Sequence, residues 1–268
     1  MSILREILLK KKERLGDSKR RVPFSEIRER ADEVQDRRDF EAAIKRLKDP
    51  LSGQPIKVIA EIKRASPSAC VIREGFDLNE IAGVYRDKAV DTVSVLTEED
   101  YFQGSIDYIK PVKETVLCPV LRKDFIFDHY QVYETKAYGA DAMLLIAAAL
   151  SASQADELMD IARQIGLFVL FEVHNYKELQ LAVDLNCRVI GINNRDLTTL
   201  MINIETTLDL MKDIPKNKIT VSESGIRGRD DASVLDSAGV DAILVGTSLM
   251  KTRNVADMAN MIDALRGI

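Results

Sequence analysis

The chain has 268 residues, a net charge of −5 and a pI near 5.3. That length suits one large α/β barrel or two small domains, and 46% apolar with 30% charged residues excludes a disordered chain. The acidic balance argues against a dominant nucleic-acid or anionic-membrane surface. Two histidines, His129 and His174, are too few for a histidine-based metal site. The cysteines Cys70, Cys118 and Cys187 form no CxxC pair, and their odd, sparse number suits a reducing cytoplasm.

The amino-terminal stretch Met1-Ser2-Ile3-Leu4-Arg5-Glu6 is charged and lacks the long apolar core of a secretion signal. Ile3, Ile7, Leu8 and Leu15 predict an amphipathic helix, with the basic run from Lys10 to Lys12 on its solvated face. Phe40, Ala43 and Ile44 predict another, and 51–55 a turn or linker. Residues 1–56 are too short for an independent domain. They are expected to form a helical extension packed across one end of a barrel that completes a single domain, 1–268. From residue 57 onward, short β-rich runs alternate with helical patterns. Strands are predicted near 57–63, 92–97, 119–124, 142–147, 168–173, 189–193, 219–223 and 242–246. Helical patterns follow, as at 78–89, 129–138, 154–165, 177–185 and 229–238. The longest apolar stretch, 142–150, is too short to span a bilayer.

Strict β-α alternation implies a parallel sheet, and eight units at this length imply an α/β fold of the closed (β/α)8, or TIM-barrel, type with extra N-terminal helices. An open doubly wound sheet is the alternative, weakened because no GxGxxG follows the first strand. A repeat supports closure. A small residue, an aspartate and a hydrophobic strand recur at Asp91, Asp141 and Asp241, with a degenerate copy at Arg188, in steps of 50, 47 and 53 residues.

Active sites of such barrels lie at the carboxyl ends of the strands. The first predicted strand ends in Glu61 and Lys63, which share a face because side chains alternate. A structural ion pair would read the same way, so the other strand ends decide. They supply Arg122, Lys123 and Asp124; Glu172 and His174; Asn193, Asn194, Arg195 and Asp196; and Glu223 and Ser224. So many ionisable groups at one mouth is the pattern acid–base catalysis requires. The last two loops, Ser224-Gly225-Ile226 and Gly246-Thr247-Ser248, resemble a phosphate cradle, with exposed amides, hydroxyls and a helix start.

These motifs together resemble the indole-3-glycerol phosphate synthase family. The matching segments are Glu61-Ile62-Lys63-Arg64-Ala65-Ser66-Pro67-Ser68, Leu121-Arg122-Lys123-Asp124-Phe125, Phe171-Glu172-Val173-His174, Gly191-Ile192-Asn193-Asn194-Arg195-Asp196-Leu197, Ser222-Glu223-Ser224-Gly225-Ile226 and Val245-Gly246-Thr247-Ser248-Leu249-Met250. The loop 97–105 and Arg38-Asp39-Phe40 also fit, so the resemblance spans essentially the whole chain. It implies ring closure, decarboxylation and dehydration of 1-(2-carboxyphenylamino)-1-deoxyribulose 5-phosphate, with no cofactor or metal. By the resemblance, Lys123 is the acid for ring closure, its pKa lowered by burial or nearby positive charge. Lys63 holds the substrate carboxylate, and Glu61 and Glu172 serve dehydration. Asn193, Arg195, Glu223 and Ser224 orient the substrate; Ser66, Gly225, Gly246 and Thr247 bind phosphate; Phe102, Phe125, Leu144 and Leu197 wall the anthranilate ring. A small-molecule sugar phosphate is therefore the expected partner, with no nucleic acid or membrane. A monomer and a weak homo-oligomer both stay open.

The family often continues Ser-Pro-Ser with Lys-Gly, where this chain has Ala69-Cys70. The expected consequence is altered loop mobility and substrate affinity. Rival readings are a Schiff-base aldolase using Lys123 or Lys63, a phosphoribosylanthranilate isomerase, which would need a cysteine and an aspartate at strand ends, and a non-catalytic phosphate sensor.

Overall fold

A computed structural model describes residues 2–47, 53–67 and 69–268. Leu51 and Ser52 of the expected linker, and Ser68 of the first strand-end motif, lie outside the described residues.

Among the described residues, eight parallel strands close into a barrel. They are β1 Lys57–Ile62, β2 Thr92–Leu96, β3 Val120–Lys123, β4 Ala142–Ile146, β5 Phe168–Val173, β6 Val189–Asn193, β7 Ile219–Glu223 and β8 Ala242–Val245. Each pairs with its sequence neighbour, and β1 pairs with β8, Lys57 facing Ala242. The helices are α1 Ile3–Arg21, α2 Phe24–Glu33, α3 Phe40–Ile44, α4 Leu78–Asp87, α5 Ile109–Thr115, α6 His129–Ala137, α7 Ala152–Ile165, α8 Tyr176–Asp184, α9 Glu205–Leu210, α10 Arg229–Ser237, α11 Thr247–Met250 and α12 Val255–Arg266. Several start on side-chain caps: Asp77 before α4, Asp128 before α6, Ser151 before α7 and Asn175 before α8.

The strands alternate. Val58, Ala60 and Ile62 pack outward among the surrounding helices, whereas Ile59, Leu121, Leu144, Leu170, Val189, Val221 and Leu244 fill the interior. The recurring aspartates have a specific use. Each sits just before an even-numbered strand and accepts an N–H from the start of the preceding odd one: Asp91 from Val58 at 2.9 Å, Asp141 from Val120 at 2.8 Å and Asp241 from Thr220 at 2.9 Å. These amides at the ladder's amino end would otherwise lack partners. In the degenerate copy, Arg188 accepts Ile219 N–H through its main-chain oxygen and pairs with Glu41 of α3.

The N-terminal extension reaches both ends of the barrel rather than one. Phe40 and Ile44 of α3 are fully buried in the interior cluster and plug the amino end, where Arg38 and Arg46 main-chain amides donate to Asp141 and Asp241. α1 lies at the opposite mouth, and α2, which the apolar spacing does not signal, packs Ile27 against Tyr130 of α6.

Candidate active site

Continuing the inward series by one step on the four odd-numbered strands changes its chemistry from apolar to ionisable. Ile59 is followed by Glu61, Leu121 by Lys123, Leu170 by Glu172 and Val221 by Glu223. Pleat alternation thus sets a charged layer on the apolar filling of the barrel. Register brings the members together, Asn193 facing Glu223 and Glu172 facing Gly191. Gly191 is required there, because a Cβ would run into the Glu223 carboxylate; at Gly246 a Cβ would strike that of Glu61.

Lys123 bridges two buried carboxylates. Its ammonium lies 2.9 Å from Glu172 Oε2 and also pairs with Glu223 Oε2. Asn193 Nδ2 donates to Glu172 Oε1 at 3.1 Å, and Lys63 Nζ lies 2.6 Å from Glu61 Oε1. The expected lowering of the Lys123 pKa is not what the site produces. Burial does push it down, but the charges of Glu172, Glu223 and Glu61 outweigh burial and hold it above the usual lysine value. Burial pushes Glu172 up too, yet Lys123 and His174 hold it below the carboxylate range. Glu223 goes the other way, raised by burial and by the neighbouring Glu172 and Glu61 charges. The two carboxyls around one ammonium are thus split in proton affinity, a division suited to acid–base work.

These groups line a cavity of about 580 Å³ at the carboxyl mouth, and all sixteen positions expected from the sequence lie on its wall. Part of the wall is apolar, with Phe102 and Phe125, ring centroids 6.2 Å apart, and Leu144 and Leu197. Ser66, Ser224, Gly225, Gly246 and Thr247 line it as well. The chain turns after β7 through two consecutive left-handed residues, Ser224 at φ 67° and Gly225 at φ 84°. Ser248 Oγ donates to Ile226 O at 2.6 Å and ties the last two loops. Arg195 is half-buried, its guanidinium donating to Leu200 O at 3.1 Å.

Two features escaped the sequence reading. Ile3, Leu4 and Ile7 of α1 roof the cavity. Lys11, expected on a solvated face, is buried, 2.8 Å from Asp124 and 3.1 Å from Glu99. Its helical spacing from Ile7 and Leu15 was the available signal. His174, expected at a strand end, stands beside Glu172 outside the cavity lining. The acidic trio Glu98, Glu99 and Asp100 is engaged internally: Glu98 accepts three loop amides, Glu99 pairs with Lys11 and Asp100 with Arg14.

In the loop after β1, Ala65–Ser66 pairs antiparallel with Cys70–Val71, and Cys70 is exposed at φ 50°. A left-handed non-glycine residue costs about 1–2 kcal/mol. Cys70→Gly is therefore expected to relax this loop and change kcat or KM by about fivefold, the equivalent of about 1 kcal/mol. Steady-state kinetics matching wild type would refute this.

A mouth lined by alternating lysines and glutamates, on a barrel of this topology, defines an acid–base enzyme of the (β/α)8 class. A solved 3-hexulose-6-phosphate synthase from Salmonella typhimurium shares the fold, with a TM-score of 0.61 at 16% identity over 78% of this chain and 98% of that one. The chain belongs to the indole-3-glycerol phosphate synthase family, whose model matches residues 4–262. The indole-3-glycerol phosphate synthase of Caldanaerobacter subterraneus subsp. tengcongensis is 49% identical over 249 residues, covering 93% of both chains. That of Alkaliphilus metalliredigens is 40% identical over 255 residues, covering 95% of both. The function is accordingly that of an indole-3-glycerol-phosphate synthase, a carboxy-lyase of tryptophan biosynthesis.

Proposed function

We propose that the cavity binds 1-(2-carboxyphenylamino)-1-deoxyribulose 5-phosphate with its aromatic ring on the Phe102, Phe125, Leu144 and Leu197 side and its phosphate against Ser66, Gly225, Gly246 and Thr247. The observation that carries this reading is Lys123 held between Glu172 and Glu223 in a cavity whose wall combines aromatic and aliphatic side chains with serine, threonine and glycine. Lys123 gives its proton to the ketone oxygen as the aromatic carbon attacks. A lysine with a raised pKa is a weak donor to a neutral ketone and a much better one to an oxygen gaining charge, so the transfer is concentrated in the transition state. Lys63 holds the substrate carboxylate until CO2 leaves. It then acts as acid for the departing hydroxyl, with Glu172 and Glu61 as candidates to collect the proton lost. Asn193, Arg195, Glu223 and Ser224 orient the amine, hydroxyls and carboxylate. A Schiff base at Lys123 is disfavoured, because a nucleophilic lysine must be neutral and both carboxylates keep Lys123 charged.

The reading extends to the whole chain as one barrel domain, with 1–56 as an extension packed on it. A small phosphorylated substrate is its partner, rather than nucleic acid. No described helix is long and apolar enough to cross a membrane. The free thiols of Cys70, Cys118 and Cys187 support a reducing, cytoplasmic setting. A substrate labelled in its carboxylate tests the chemistry: labelled CO2 should appear one for one with the indole product. Turnover of the sugar phosphate that keeps the label in the organic product would reject it.

A further inference from the structure

His174 follows Glu172 by two residues just past the end of β5, and its ring lies between two glutamates, Glu178 and Glu172. Glu178 lies in the first turn of α8. Its Oε2 accepts the His174 main-chain N–H at 2.8 Å and lies 2.9 Å from His174 Nδ1. Its Oε1 accepts Asn175 Nδ2 at 2.8 Å. An ionised carboxylate only accepts, so the proton of this contact belongs to Nδ1. The other ring nitrogen, Nε2, is buried, has no hydrogen bond of good geometry, and lies 3.2 Å from Glu172 Oε1. A neutral ring with its proton on Nδ1 would aim a lone pair at that carboxylate. An imidazolium places a positive charge beside it instead.

We propose that His174 is a positioning residue of the reaction: an imidazolium clamped by Glu178 that keeps Glu172 ionised and fixes its Oε1 while Oε2 faces Lys123. The ring's acidic neighbours are Glu172 on β5, Glu178 on α8 and, at longer range, Asp196 in the loop after β6; Lys123, paired with the other oxygen of Glu172, is the nearby cation. Burial pushes the His174 pKa down, but the two glutamates outweigh it and raise it to about 10. Glu172 thus sits between two cations on opposite sides. When Lys123 gives up its proton, the His174 charge remains, so Glu172 is not left alone as a buried anion at the moment it has to act.

The inference rests on Glu172 being a proton-handling carboxylate, and it is tested with and without turnover. His129 is the only other histidine in the chain. A His129→Gln variant therefore leaves one imidazole for 15N NMR. At pH 8, both nitrogens of His174 should carry protons; a neutral ring at that pH overturns the proposal. His174→Asn removes the charge. It should lower kcat at pH 7 by about tenfold or more, with KM little changed. It should also move the acidic limb of the kcat profile up by about one pH unit, because Glu172 without its cation protonates more readily. His174→Lys should restore part of the limb's position. Stability loss with an unmoved pH profile would mean a purely structural histidine and would overturn the proposal. Should His174→Asn fail to fold, the NMR result still decides. Full activity in Glu172→Gln would instead refute the role given to Glu172, which is a separate outcome.

Discussion

Replacing Lys123 with alanine is expected to lower kcat by about 10²–10⁴-fold, the usual contribution of a positioned general acid. KM should change far less, since the residues proposed to hold the phosphate and the aromatic ring stay in place. The substitution also has a stability signature. Lys123 is the ammonium common to Glu172 and Glu223, whose side chains are almost fully buried. Without it, the two carboxyls compete for one proton, and the variant should lose stability relative to wild type as pH rises. Urea unfolding at pH 5 and pH 8 would show this as a larger deficit at pH 8. A variant that keeps wild-type kcat would remove Lys123 from the chemistry.

Asp124→Ala is expected to be the most destabilising single change near the site, at about 3–5 kcal/mol. The Asp124 side chain is fully buried. It lies 2.9 Å from Arg122 and 2.8 Å from Lys11, and accepts the Thr97 hydroxyl at 2.5 Å and its neighbour Phe125 N–H at 2.8 Å. Removing it leaves two buried cations each one partner short and weakens the tie to α1, whose Ile3, Leu4 and Ile7 roof the cavity. Burial pushes Asp124 up, but Lys11 and Arg122 overcome that and lower it to about 2. The stabilisation is therefore complete above the unfolded aspartate value of about 3.9 and is lost as pH falls toward 2. Asp124→Asn should flatten the acid limb of the stability curve between those values. Chemical denaturation across pH 2–5 measures it, and an unchanged limb would contradict the assignment.

What the sequence made legible follows from which physical rules are local. Short β-rich runs and β-α spacing located all eight barrel strands within a residue or two, because each strand is buried on both faces and separated from the next by a helix. Side-chain alternation put Glu61, Lys123, Glu172 and Glu223 on the inward side. The aspartate repeat pointed to closure, although its purpose, capping the amide of the preceding strand, needed the register. Long-range partners were not legible. Lys11 reads as solvated surface until Asp124 and Glu99, about a hundred residues away, are brought beside it. The direction of the Lys123 shift depends on how many carboxylates surround it, which no local pattern specifies. His174 was visible two residues after Glu172, but its charge follows only from Glu178 folding back as α8 begins.

The measurement closest to the central claim is growth of indole fluorescence with purified protein and 1-(2-carboxyphenylamino)-1-deoxyribulose 5-phosphate, run beside Lys123→Ala. Steady growth is expected with wild type and almost none with the variant. No growth from folded wild-type protein, or equal growth from both, would contradict it.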